Sequence, residues 1–368
     1  MSSHSPIDAA VARQAIDAKT KPLGALGRLE DIAVRLAVLQ GTLEPAIPSA
    51  RVCVFAADHG VADEGVSAYP RAVTAEMMKN FGRGGAAINV IAAVNAVDVE
   101  VMDVGVDADL SALAGIRHEK VRRGSGNLAV EAAMTAEELS AALEVGASAA
   151  RRAAAAGVRA LGLGEMGIGN TTAASALLSA LTGQPPAATV GRGTGVNDET
   201  LVRKQGAVGR ALRLHSPDNG LQADPRECLR RVGGLELAAI TGAALEAARH
   251  RLVVVADGFI STVSVLCALR MVATGQVPAV PLAEALFFAH RSTERGYAIA
   301  IEACVGIAGC DARPLLDLEM RLGEGSGAAL AMPVLRSAAA VMREMATFAA
   351  AGVSGGDHEA VHTQPKAS

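Results

Sequence analysis

Short apolar runs that end in a glycine turn recur along the chain with long alanine-rich segments between them. This alternation constrains the fold more than any other feature. Arg51–Ala57 leads into Asp58-His59-Gly60, Val97–Val104 into Gly105, Val158–Leu163 into Gly164, and Leu252–Ala256 into Asp257-Gly258. Each run is too short for a helix and rich in β-branched residues, so each reads as a strand. The intervening segments have helical length. One opens at Thr135-Ala-Glu-Glu138, a capping box in which Thr135 and Glu138 satisfy free N–H groups of the first turn. Strands alternating with helices predict an α/β fold built on an open, mainly parallel sheet flanked by helices.

The ends of the chain read differently. Ile7–Leu39 has helical periodicity broken by the loop Thr20–Gly24, and Pro45–Pro48 marks a linker. After Ala283 the strand signal stops, and residues 284–350 read as helices broken at Ala308–Pro314 and Gly323–Gly327. The expected layout is therefore a small helical domain from residues 1–48 and 284–350, a large sheet domain over 49–283, and a polar, flexible tail over 351–368.

Composition removes several function classes. Aromatics are 2% of the chain, with no Trp, and Lys+Arg number 34 against 38 Asp+Glu, for a net charge of −4. A nucleic-acid binder of the stacking kind needs aromatic platforms and a basic surface, so no nucleic-acid partner is expected. No stretch of about 20 apolar residues lacks charges, which argues against a membrane span. The polar start lacks the apolar core of a signal peptide. Five scattered cysteines without zinc spacing fit reduced thiols in a cytoplasmic protein.

Ligands of an open parallel sheet bind outside the carboxyl ends of its strands. The four glycine turns share that position, and three of them carry Asp or Glu, so they are expected to converge on one cleft. Gly162–Gly167 spells GxGxxG before a helix near Asn170, the form of a dinucleotide fingerprint. It lacks the acidic residue about 20 positions on that would hold a ribose. An NAD-dependent oxidoreductase rests on this spelling alone. A non-catalytic nucleotide-binding protein would need the cleft but not its glutamates.

Two further glycine clusters point to chemistry. Gly191, Gly193 and Gly195 precede a helix starting near Asn197, and such turns form anion-binding concavities. Lys204, two turns into that helix, adds a point charge or is a solvated helix lysine. With no GxxxxGK[ST], the site suits a monophosphate. Glu324 lies within Gly323-Glu-Gly-Ser-Gly327, where glycines let a substrate approach. As an ordinary charge at a helix start its pKa falls, unless apolar burial offsets the dipole. No histidine spacing suits a metal and no serine sits in GxSxG, so no metal and no cofactor is expected.

In order along the chain stand Lys21-Pro-Leu-Gly-Ala-Leu-Gly-Arg28-Leu-Glu30, Ala57-Asp-His-Gly-Val61, Glu64-Gly-Val-Ser67, Gly164-Glu-Met-Gly167, Asn170-Thr-Thr172, Val232-Gly-Gly234, Asp257-Gly-Phe259 and Arg321-Leu-Gly-Glu-Gly-Ser-Gly-Ala-Ala-Leu-Ala-Met-Pro333. Together they resemble the nicotinate-nucleotide–dimethylbenzimidazole phosphoribosyltransferase family over about residues 19–350. The resemblance implies a Rossmann-like large domain and a small domain of terminal helices. It implies transfer of phosphoribose from nicotinate mononucleotide to 5,6-dimethylbenzimidazole, giving α-ribazole 5′-phosphate and nicotinate for cobalamin nucleotide-loop assembly, by a homodimer. By position it implies Glu324 as catalytic base and Glu165 as a second active-site glutamate. Lys204, Asp257, Gly258 and Ser292, beside Gly191, Gly193 and Gly195, fall around the phosphoribosyl group. Tyr69, Met77, Met166 and Leu322 fall at the base pocket.

Overall fold

The computed structural model describes residues 7–193, 195–215, 220–309 and 311–354. Thr194, Cys310 and the tail from 355 onward lie outside the described residues. The chain divides into two compact units, one of residues 1–46 with 335–368 and one of residues 47–334.

The larger unit is built on six strands, β1 (Ala50–Ala57), β2 (Asp98–Gly105), β3 (Arg117–His118), β4 (Ala160–Met166), β5 (Val253–Ala256) and β6 (Leu286–Phe288). They form one sheet in the order β3-β2-β1-β4-β5-β6, every neighbouring pair parallel. This is the doubly wound order, in which the direction of strand addition reverses between β1 and β4. The central strands are buried on both faces, which is why they read as near-continuous apolar runs rather than alternating ones. Register pairs Phe55 of β1 with Glu165 of β4, and Leu163 of β4 with Ala256 of β5. Glu165 and Asp257 therefore emerge side by side at the carboxyl edge.

Three sequence expectations are corrected. The strand over 158–163 runs on to Met166, so the first two glycines of GxGxxG are strand residues. A sixth strand, β6, follows Ala283; at three residues it is too short to show a period. With it, residues 284–334 belong to the larger unit, so the boundary expected at 283/284 falls at 334/335. The helix Ser326–Glu344 spans that boundary.

The excess of small residues has a packing cause. Helices Ala136–Ala155 and Leu235–Arg249 approach backbone to backbone at two glycines. A Cβ on Gly146 would overlap the Ala239 carbonyl oxygen, and one on Gly242 the Leu143 carbonyl oxygen. The capping box also forms, with Glu138 N–H donating to Thr135 Oγ1 at 3.1 Å and Thr135 N–H to the Glu138 carboxylate at 2.9 Å.

The smaller unit contains helices Ala9–Asp17, Arg28–Gln40 and Phe348–Ala351. Its loop Lys21–Arg28 is organised around Glu30, which is 2% exposed. That carboxylate pairs with Lys21 Nζ at 2.9 Å and accepts the Leu26 N–H at 2.9 Å. A buried ion pair holds only where hydrogen bonds satisfy what is left over, and here the loop's own backbone supplies one.

Alanine is the better helix former by about 1 kcal/mol, so a Gly146→Ala change without steric conflict would stabilise the protein. The overlap with Ala239 predicts the opposite sign, a loss of about 1–3 kcal/mol in urea unfolding. An unchanged or raised midpoint contradicts the packing.

Candidate active site

Glu324 is positioned by a chain of contacts that starts at β5. Asp257 Oδ1 accepts the Ala328 N–H at 2.8 Å, and the N–H groups of Gly325 and Gly327 also point to this carboxylate. Asp257 thus caps the Ser326–Glu344 helix from a neighbouring strand and satisfies donors that a helix start leaves open. The turn ahead of that helix is pressed onto β4. A Cβ on Gly164 would lie 2.7 Å from the Glu324 carbonyl oxygen, so only glycine leaves room for it. Glu324 N–H donates to the Glu165 carbonyl at 3.3 Å. Glu324 itself has φ +63°. That left-handed conformation costs a non-glycine residue roughly 1–2 kcal/mol, the kind of strain that collects at functional sites.

The carboxylate of Glu324 accepts the Ile88 N–H at 3.3 Å, at the start of the helix Ala87–Val94. The residue is 6% exposed. Burial pushes its pKa up, the Ile88 N–H pulls it down, and Asp257 adds to the rise. Burial wins, so the offset that the sequence left open falls on the side of a stronger base. Glu165 is held well above the usual carboxylate range by burial first, and then by the charges of Asp257, Glu236 and Glu324, against an opposing bond from Asn170 Nδ2. Behind it, His59 Nε2 and Glu236 Oε1 form a fully buried pair at 2.6 Å.

The glycine turn at 191–195 faces a buried cation. Lys204 is 1% exposed, which excludes the solvated reading. Its Nζ donates to Thr171 Oγ1 at 3.0 Å, and burial lowers its pKa to about 8, with Glu294 opposing. Arg321 Nη1 donates to the Gly193 carbonyl at 2.9 Å, 128 residues away.

A narrow cleft of about 90 Å³ opens at this edge; Gly323 is in its wall, whereas the Glu324 and Lys204 side chains are not. Glu165, Met166, Asp257, Gly258, Ser292 and Leu322 are in its wall, with Gly193 and Gly323. Gly191 and Gly195 line an adjoining hollow that shares Gly193, Glu294 and Arg321 with the cleft, and Lys204 a third that shares Asn170 and Thr171. Among the described residues, no group of three or more His, Cys, Asp or Glu side chains is arranged to hold a metal ion.

The expected convergence of four turns is only partly realised. The turns after β4 and β5 line the cleft, joined by that after β6. Those after β1 and β2 serve each other instead. Asp58 Oδ2 accepts the Asp107 N–H at 2.8 Å, and Asp103 pairs with Lys120 at 2.8 Å. Tyr69 is 51% exposed and Met77 half-buried, and neither is in the wall of this cleft. His290, Glu294 and Arg321 are in the wall and carry no role in the sequence reading. His290 and Glu294 follow β6, so the strand-end rule finds them once that strand is seen.

Comparison with known proteins gives a consistent picture. A family model described as phosphoribosyltransferase matches residues 4–353. Nicotinate-nucleotide–dimethylbenzimidazole phosphoribosyltransferase of Pseudomonas aeruginosa is 49% identical over 338 residues, 92% of each chain. The protein of that name from Geobacter metallireducens is 45% identical over 359 residues, 97% of each chain. The crystal structure of CobT from Thermus thermophilus superposes with a TM-score of 0.87 at 51% identity, covering 95% of this chain and 99% of that one. The match runs along nearly the whole chain, the strand ends and the Glu324 turn included, and the chain belongs to the nicotinate-nucleotide–dimethylbenzimidazole phosphoribosyltransferase family.

Proposed function

We propose that the chain transfers the phosphoribosyl group of nicotinate mononucleotide to 5,6-dimethylbenzimidazole, giving α-ribazole 5′-phosphate and nicotinate for assembly of the cobalamin nucleotide loop. The observation that carries this reading is the buried Glu324 carboxylate, with raised pKa, held against the Glu165 strand end. The names and coverage of the relatives support the same reaction. The protein acts in the cytoplasm and as a homodimer. Among the described residues, no helix is long and apolar enough to cross a membrane.

One nitrogen of neutral dimethylbenzimidazole carries a hydrogen and the other a lone pair. The lone pair attacks C1′ of the ribose from the face opposite the nicotinate, forming the new C–N bond. The old C–N bond breaks with its electron pair returning to the pyridinium nitrogen, so nicotinate leaves with that charge neutralised. The ring hydrogen of dimethylbenzimidazole becomes acidic as the new bond forms, and Glu324 accepts it. Burial suits Glu324 to this, because it strengthens the carboxylate as a base. Attack opposite the leaving group inverts the anomeric carbon from β to α. Glu165 orients the ribose beside Asp257 and Ser292, and Lys204 with the Gly191–Gly195 turn holds the phosphate. Met166 and Leu322 of the cleft wall contact the base, with Tyr69 and Met77 closing over it on binding. Much of the rate comes from alignment of the two substrates.

Incubation with both substrates is expected to give α-ribazole 5′-phosphate by mass spectrometry; absence of product with any benzimidazole or phenolic base would falsify the reaction. Glu324→Gln is expected to lower turnover by about 10²-fold or more while both substrates still bind. Near-normal turnover would remove Glu324 as the base.

Lys204 loses its charge as pH rises through about 8. The kcat/KM for the nucleotide therefore falls over that range. Lys204→Arg, with a guanidinium that stays charged to above about pH 12, keeps the activity it has into alkaline solution. Lys204→Ala raises the nucleotide KM more than the base KM. A pH profile shared by the wild type and the arginine variant, or an unchanged nucleotide KM in the alanine variant, contradicts the phosphate role.

A further inference from the structure

The cradle assigned to the phosphate already contains a carboxylate. Glu294, two residues after Ser292, accepts a hydrogen bond from the Gly193 N–H and faces the charges of Lys204 and Arg321. Its Oε2 lies so close to Gly191 that any side chain there would overlap it. That oxygen is buried and has no hydrogen-bond partner among the described residues. A buried carboxylate oxygen left unpaired beside a lysine, an arginine and a glycine turn is unusual, since buried polar atoms are nearly always satisfied.

We propose that Glu294 is a specificity-determining counter-anion, occupying the place of the substrate phosphate against Gly193, Lys204 and Arg321 until a nucleotide displaces it. This rests on the reading of the Gly193–Lys204 region as the phosphate subsite. A free dianion gains the two cations and the N–H but must expel or face a like charge, and like charges in contact cost several kcal/mol. A nucleotide meets the same cost and offsets it with ribose and base contacts elsewhere in the cleft. The site thereby discriminates against small anions that share only the phosphate. The same competition weakens the hold on the product's phosphate and speeds its release.

The charged surroundings of Glu294 are few. Lys204 faces it from the helix Asp198–His215 and Arg321 from the segment before Glu324. Arg192 and Arg295 share the adjoining hollow; Arg192 is paired with Asp198, and Arg295 donates to the Ala187 carbonyl at 3.1 Å. Glu165, Asp257 and His290 are in the wall of the same cleft. Burial raises the pKa of Glu294, so its charge, and with it the competition, declines as pH falls.

Sulfate is the suitable probe, because it stays dianionic through the neutral range. Calorimetric titration of the full chain with sulfate is expected to show about tenfold or more tighter binding in Glu294→Gln, the gain from removing one like charge. Lys204→Ala is expected to bind sulfate more weakly than wild type. Unchanged or weaker binding in Glu294→Gln, while Lys204→Ala weakens it, overturns the counter-anion and leaves the subsite standing. Unchanged binding in Lys204→Ala overturns the subsite and the proposal with it. Should Glu294→Gln not fold, the wild type provides the test. Its sulfate affinity is expected to rise as pH falls and Glu294 takes up its proton, and Glu294→Asp, with a shorter reach to Gly193, to bind sulfate more tightly than wild type at pH 7. His290→Asn, which removes the histidine of the cleft wall, keeps the rise; its loss there, or a flat wild-type profile, overturns the proposal.

Discussion

The cap that Asp257 places on the Ser326–Glu344 helix holds the rest of the site in order. It joins the end of β5 to the turn carrying Glu324 by a 2.8 Å bond to Ala328 and by the N–H groups of Gly325 and Gly327. Without it, the strained turn has little reason to stay pressed against β4. An ionised carboxylate at 2% exposure is costly unless it is hydrogen-bonded, and here the helix start supplies the donors while His290 supplies a favourable neighbouring charge. The same bonds that make the buried aspartate tolerable fix the position of the glutamate.

Desolvation outweighs every other influence on the three carboxyl groups at the sheet edge. Asp257, Glu165 and Glu324 are all pushed upward by burial, although each accepts at least one hydrogen bond that pulls the other way. Three carboxylates crowded at one edge cannot all ionise cheaply. Glu165, surrounded by the other acids, is held well above the usual carboxylate range. Glu324, held by one backbone N–H, is raised with less crowding. On the proposed reading Glu165 stands near the ribose and Glu324 accepts the proton from the base.

The strands of the sheet centre, the capping box and the Glu324 turn were legible in the sequence because each is specified within a few residues. β3 and β6, at two and three residues, are too short to carry a period. Missing β6 hid the position of His290 and Glu294 at its end and shifted the expected domain boundary. The burial of Lys204 was not legible either. Its helix has a polar pattern, and the lysine is enclosed by Thr171 and Gly193 from distant parts of the chain. Gly162 and Gly164 illustrate the opposite error. Their spelling suggests a dinucleotide turn, whereas Val52 and Ala328 crowd Gly162, and the Glu324 backbone crowds Gly164. Local sequence shows that a glycine is needed and does not show what approaches it.

On the proposed reading, phosphate, ribose and base lie in a line along the strand ends, and that line finishes at Glu324. A crystal structure of the Glu324→Gln variant with nicotinate mononucleotide and dimethylbenzimidazole bound tests this placement without an intermediate step. The phosphate is expected against Gly193 and Lys204, and the ribose beside Asp257 and Ser292. The benzimidazole N–H is expected within hydrogen-bond reach of residue 324, with its other nitrogen facing C1′. A phosphate bound away from Gly193 and Lys204, or a base ring out of reach of residue 324, would contradict the placement.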